Sequence, residues 1–194
     1  MSEDQTDPAA VVIGASVGAI GALGTLLPEL PADFPMPVLV VVHIPPEGRS
    51  SLPELFASRC ALPVKEAEDK EEILPGTIYF APANYHLLVE PDFRIALSNE
   101  EPVLFSRPAI DLLFESAADA YGTSLTGVIL TGASSDGAHG LAAVAQSGGT
   151  ALVQDPATAE GQVMPLAALD ACPQARALGL PQISTFLRQL TPNS

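Results

Sequence analysis

The sequence predicts an α/β fold: a doubly wound, mostly parallel sheet with helices on both faces and one antiparallel hairpin. Three observations predict it. Short apolar runs alternate with longer stretches of helical spacing. Several of those runs are β-branched and apolar at every position, as strands covered by helices on each side should be. Strand and helix follow one another in turn, which calls for parallel strands joined by crossover helices. The length, 194 residues, suits one such domain, expected over residues 9–194 behind a disordered acidic tail at 1–8.

The first strand is expected at Ala10–Ile13. It runs into Gly14-Ala15-Ser16-Val17-Gly18 and then a helix over Gly18–Leu30. Val38–Val42 (VLVVV) reads as the second strand and ends at His43. A helix is expected over Ser51–Cys60, with Pro53 and Glu54 in its first turn. The charge run Glu66–Glu72 (EAEDKEE) reads as a solvated loop, and Thr77–Phe80 as the third strand. His86–Val89 and Arg94–Leu97 flank the turn-like Glu90-Pro91-Asp92-Phe93 and read as a hairpin. A helix over Ala109–Tyr121 leads to the strand Gly127–Leu130. The next helix, Asp136–Gln146, is stopped by Gly148-Gly149, and the strand Ala151–Val153 follows. Gln182–Leu190 is the last expected helix. The prolines, Pro45-Pro46 among them, punctuate loops.

Composition excludes several functions. Eight Lys+Arg stand against 23 Asp+Glu, a formal net charge of −15, so nucleic acid and anionic membrane are poor partners. The N-terminus is acidic, unlike a secretory leader. The longest apolar runs, such as Val38–Val42, fall far short of the ~20 residues of a membrane span. A soluble, cytoplasmic monomer is the expectation. Cys60 and Cys172 are far apart and fit reduced thiols. No His, Cys or acidic cluster has metal-ligand spacing, so neither metal nor cofactor is expected. A dinucleotide fingerprint would need glycine where Ser16 stands, and an acid where the second strand ends in His43.

Ser16 sits in G-x-S-x-G between a strand and a helix. That setting exposes a nucleophile on a tight turn and offers it the free N–H groups of a helix start. A helix N-cap or a phosphate-binding turn would use the same residues. His43 alone would be an ordinary structural histidine, and Asp136 alone the N-cap of the helix that follows it. All three, however, end strands at the carboxyl edge of the sheet, and they are the types of a nucleophile, its base and an orienting carboxylate. The order Ser, His, Asp differs from the Ser, Asp, His of α/β-hydrolases. His86, expected at the rim of the hairpin, and His139, on the Asp136 helix, are the competing bases and are set aside.

These motifs resemble the catalytic domain of the CheB family, the chemotaxis protein-glutamate methylesterases. The resemblance rests on IGAS (Ile13–Ser16), VVHIP (Val41–Pro45), LPGTIYFAPANYHLLV (Leu74–Val89), RPAIDLLFESAA (Arg107–Ala118), GVILTGASSDGAHGL (Gly127–Leu141) and VMP (Val163–Pro165). It implies Ser16 as nucleophile, His43 as base and Asp136 as orienter. It also implies oxyanion or substrate contacts at Val17, Gly18 and Ala133, and methylated helices of chemoreceptors as partners. The family hydrolyses glutamate methyl esters there and deamidates selected glutamines. Val17 stands where the family commonly has Thr, Val42 where it has Gln, and Ala133 where it has Met. The family's usual receiver domain is not in this sequence, so control by phosphorylation within the chain is not expected. A divergent binding module and a small-molecule esterase are the alternatives.

Overall fold

The structure, a computed structural model, describes residues 8–43 and 51–190. In chain order it begins with β1 (Ala10–Ala15), α1 (Ala19–Leu26), β2 (Val38–Val42), α2 (Leu52–Ala57), β3 (Val64–Glu66) and β4 (Ile78–Phe80). The hairpin strands β5 (His86–Val89) and β6 (Ile95–Ser98) follow, then α3 (Ile110–Tyr121), β7 (Leu125–Ile129) and α4 (Ala138–Gln146). The chain closes with β8 (Thr150–Gln154), α5 (Val163–Ala171), β9 (Arg176–Leu178) and α6 (Leu180–Arg188).

Seven strands form one sheet in the order β3-β4-β2-β1-β7-β8-β9, and every neighbouring pair is parallel. β5 and β6 pair antiparallel as a separate ribbon. The expected α/β class, parallel sheet and hairpin are therefore all present. β1 lies between β2 and β7, and the strand order reverses there. In open α/β sheets such a reversal is where ligands bind, beyond the carboxyl ends of the strands.

Period-2 alternation divides β1 between two cores. Ala10 and Val12 join Leu39, Val41 and Ile129 beneath α3 and α4. Val11, Ile13 and Ala15 join Val38 and Val40 beneath α1 and α6. Both faces are dry, which is why these strands read as unbroken apolar runs rather than alternating ones. No helix among the described residues is long and apolar enough to cross a membrane. Cys60 and Cys172 are free thiols, and burial raises the pKa of each, leaving little reactive thiolate.

The structure corrects several expectations. Two edge strands, β3 and β9, and the helix α5 were not anticipated. β3 and β9 are three residues each and lack the buried pattern of the inner strands. β3 takes Glu66 from the expected acidic loop, and Lys65 in it pairs with Glu68 at 3.0 Å and Glu71 at 2.8 Å. α5 carries Pro165 in its first turn, where a missing N–H costs little. α1 stops at Leu26 and passes into a 3₁₀ turn, Leu27–Glu29, around Pro28. α4 starts at Ala138 rather than Asp136, and α6 at Leu180 rather than Gln182. The second hairpin strand is shifted by one residue, pairing Val89 with Ile95. The expected tail, apart from Pro8, and Pro45-Pro46 lie outside the described residues.

Candidate active site

The serine turn is built where β1 runs out. Ser16 N–H donates to the Thr131 carbonyl at 2.9 Å, and Ala19 N–H to the Ser16 carbonyl at 2.9 Å. Gly18 has φ +80°, and a Cβ there would stand 2.8 Å from the Glu160 carboxylate, so this position demands glycine. Thr131 Oγ1 donates to the Val17 carbonyl and accepts from Gly161 N–H, both at 2.8 Å. The turn is thereby tied to the end of the neighbouring strand β7. Ser16 is half-buried, and Val17 is exposed.

Gly14 lies under α3: a Cβ on it would collide with Ile110 Cγ2. This close approach brings the first turn of α3 over the carboxyl end of β1. There the structure joins two of the three expected residues. His43 Nε2 lies 2.7 Å from Asp136 Oδ2, reaching from the end of β2 across β1 to the loop after β7. The His43 side chain is 13% exposed and that of Asp136 0%. Because the ring meets the carboxylate through Nε2, the proton between them sits on Nε2, and Nδ1 is the nitrogen left to accept. Ser16, just past the end of the strand between, makes no side-chain hydrogen bond among the described residues. Such contacts commonly tighten only when substrate binds.

Taken alone, Asp136 is expected to be the N-cap of the helix that follows it. The N-cap of α4 is instead Gly137, with φ 96° and no side-chain bond. The Asp136 carboxylate caps the other helix: Ile110 N–H donates to Oδ2 at 2.7 Å and Asp111 N–H to Oδ1 at 2.9 Å. A buried carboxylate must replace its lost hydration. Two amides at a helix start and one imidazole N–H do so here.

Sequence reasoning missed two residues behind this pair. Asp111, buried in the first turn of α3, accepts from Gly137 N–H at 2.9 Å and Gly140 N–H at 2.7 Å, so α3 and α4 cap each other. His86 is not at the rim. It is fully buried, with Nδ1 accepting Ala109 N–H and Nε2 bonded to the Glu101 carbonyl, each at 3.1 Å. Its ring thus holds the residue just before α3. The motif letters RPAID and NYH contained both residues, but nothing local signals a partner more than 20 positions away. His86→Ala leaves a buried amide and a carbonyl unpaired and is expected to cost about 1–3 kcal/mol of stability, read by thermal unfolding. His139 is exposed on α4 and makes no hydrogen bond to either member of the pair.

Of the expected oxyanion positions, Val17 and Gly18 lie in the serine turn, and Ala133 comes two residues after Thr131, which bonds that turn. Among the described residues, the N–H groups of Val17, Gly18 and Ala133 donate to no protein acceptor. Ala133 is held from below. Gly132 N–H donates to the Gly161 carbonyl, Met164 N–H donates to the Gly132 carbonyl, and a Cβ on Gly132 would meet Met164 at 2.7 Å. Met164, the centre of the VMP motif, is therefore the floor of the loop that presents Ala133. Free amides, an imidazole with one accepting nitrogen and a serine on a tight turn suit attack on a carbonyl carbon.

The CheB methylesterase family matches residues 11–187. A protein of Leptospira interrogans that carries the provisional name protein-glutamate methylesterase/protein-glutamine glutaminase is 46% identical over 185 residues, 95% of this chain and 96% of that one. A protein-glutamate methylesterase/protein-glutamine glutaminase of Symbiobacterium thermophilum is 42% identical over 155 residues, 80% of this chain but 43% of its own length. The crystal structure of the Thermotoga maritima CheB methylesterase catalytic domain superposes with a TM-score of 0.88 at 34% identity, covering 95% of this chain and 99% of that one.

Proposed function

The chain belongs to the CheB methylesterase family, and we propose that it hydrolyses glutamate methyl esters on chemoreceptor helices by a serine mechanism. His43 Nδ1 takes the Ser16 hydroxyl proton as Oγ bonds to the ester carbonyl carbon. The oxyanion draws on the N–H groups of Val17, Gly18 and Ala133. The C–O bond to the methoxy group then breaks, and His43 returns the proton so that methanol leaves. Water, deprotonated by the same nitrogen, frees the glutamate and restores Ser16. Asp136 holds Nε2–H throughout and stabilises the imidazolium. The same steps with ammonia as leaving group would deamidate glutamine.

One observation carries this reading: the 2.7 Å bond from His43 to Asp136, which spans the strand that runs into Ser16. Methanol release from methylated receptor membranes by the purified chain tests it, alongside fluorophosphonate labelling of Ser16. Labelling without methanol release points to an esterase for small molecules. Absence of both points to a binding module.

Val17→Thr is expected to raise kcat. Val17 is 47% exposed, so a hydroxyl there loses little packing, and it stands next to Ser16, on which the oxyanion would form. The gain should stay below the ~2.7–4 kcal/mol of a main oxyanion donor, because the amides remain. An unchanged or lower kcat would show that the hydroxyl does not face the reacting oxygen.

A further inference from the structure

We propose that Asp111 is a positioning residue for the His43–Asp136 pair, setting the place of the Asp136 carboxylate through the start of α4. This rests on the reading of that pair as catalytic. Asp111 and Asp136 close a ring of hydrogen bonds. The Asp111 N–H donates to Asp136 Oδ1 at 2.9 Å, and Asp111 Oδ1 accepts the N–H of Gly137, the residue after Asp136, at 2.9 Å. The same Oδ1 accepts Gly140 N–H at 2.7 Å, one turn further into α4. The two helices meet here at contact distance, since a Cβ on Gly140 would lie 3.0 Å from the Asp111 Cα and backbone oxygen. Asp136 is thus gripped twice by one residue, at its side chain by the Asp111 amide and at its following peptide by the Asp111 carboxylate.

Asp111 is 5% exposed, and its side chain meets neither Ser16 nor His43 in a hydrogen bond. Burial raises its pKa most, the Gly140 amide opposes, and the Asp136 charge adds to the rise. A second buried acid beside the first is a poor choice for packing alone, and as an acceptor it fastens the loop that carries Asp136. Both α4 amides meet a single oxygen, so the carbonyl of an asparagine can take the same two bonds.

The test compares Asp111→Ala, Asp111→Asn and the unmodified chain. kcat is measured per active serine titrated with fluorophosphonate, KM in the same assay, and the downfield proton resonance of His43 Nε2–H by NMR. Asp111→Ala is expected to lower kcat by about 10–100-fold, as a misplacement near 1 Å does, with KM little changed and the resonance shifted or lost. Asp111→Asn should restore most of kcat and the resonance. Wild-type kcat and resonance in Asp111→Ala, with only a lower Tm, would overturn the proposal, as would Asp111→Asn being as impaired as Asp111→Ala. If Asp111→Ala does not fold, Asp111→Glu decides, since its extra methylene displaces the acceptor while keeping the charge. A lower kcat with a shifted resonance supports the proposal, and wild-type values overturn it. Should the unmodified chain neither label nor release methanol, the esterase reading fails, while the resonance still reports whether Asp111 positions the pair.

Discussion

Asp136→Asn is expected to lower kcat by a factor approaching 10⁴ and to lower Tm as well. The first effect is the loss seen when a serine protease's orienting carboxylate becomes an amide. The second is particular to this site. The carboxylate accepts from three N–H donors: His43 Nε2 and Ile110 at Oδ2, and Asp111 at Oδ1. An amide has one oxygen. With that oxygen turned toward His43, its NH₂ faces the Asp111 N–H. Turned the other way, the NH₂ faces two donors. Either orientation buries donor against donor, which costs about 1–3 kcal/mol. For a chain of this size that is several degrees in Tm. Wild-type kcat in Asp136→Asn would contradict the role assigned to Asp136, and an unchanged Tm would contradict the three-donor arrangement.

His43→Ala is expected to abolish nearly all turnover, roughly 10⁴–10⁶-fold, the range in which removing one member of a serine-protease triad falls. The fold should survive. The side chain lies at the mouth of the site rather than within either core, and Asp136 keeps its two amide donors when the imidazole is gone. Circular dichroism beside kcat separates inactivity from unfolding. His139→Ala is the control, and should stay within tenfold, roughly 1.4 kcal/mol of barrier. A folded His139→Ala as inactive as His43→Ala would overturn the choice of base.

These expectations draw unequally on sequence and structure. The inner strands β1, β2, β7 and β8 were legible because each is buried on both faces, and burial on both faces writes an unbroken apolar run. The serine turn was legible because a positive φ at Gly18 leaves a glycine in the sequence. The end of α4 was legible in the same way, through Gly148 at φ 86°. β3 and β9 were not, since an edge strand of three residues needs neither an apolar run nor an alternation. α5 was hidden by Pro165, which reads as a break although a proline in a first turn is harmless.

The candidate site divides along the same line. Strand ends alone brought Ser16, His43 and Asp136 to one edge of the sheet, because topology can be read from the order of elements. What each polar side chain would bond was beyond that reading. Asp136 looked like the cap of its own helix and caps α3. Asp111 carried no signal of its own within RPAID and caps α4. His86 looked like a surface residue and is sealed beneath the start of α3. The physical reason is that periodicity and capping preferences describe neighbours within about one turn, whereas a buried acceptor bonds whichever donor the packing brings within 3 Å. Apolar runs, glycines and the order of elements were enough for the parallel sheet, the serine turn and the sheet edge at which Ser16, His43 and Asp136 lie. Which amides hold Asp136, and which ring nitrogen of His43 remains free to accept, depended instead on packing that sets the first turns of α3 and α4 against each other.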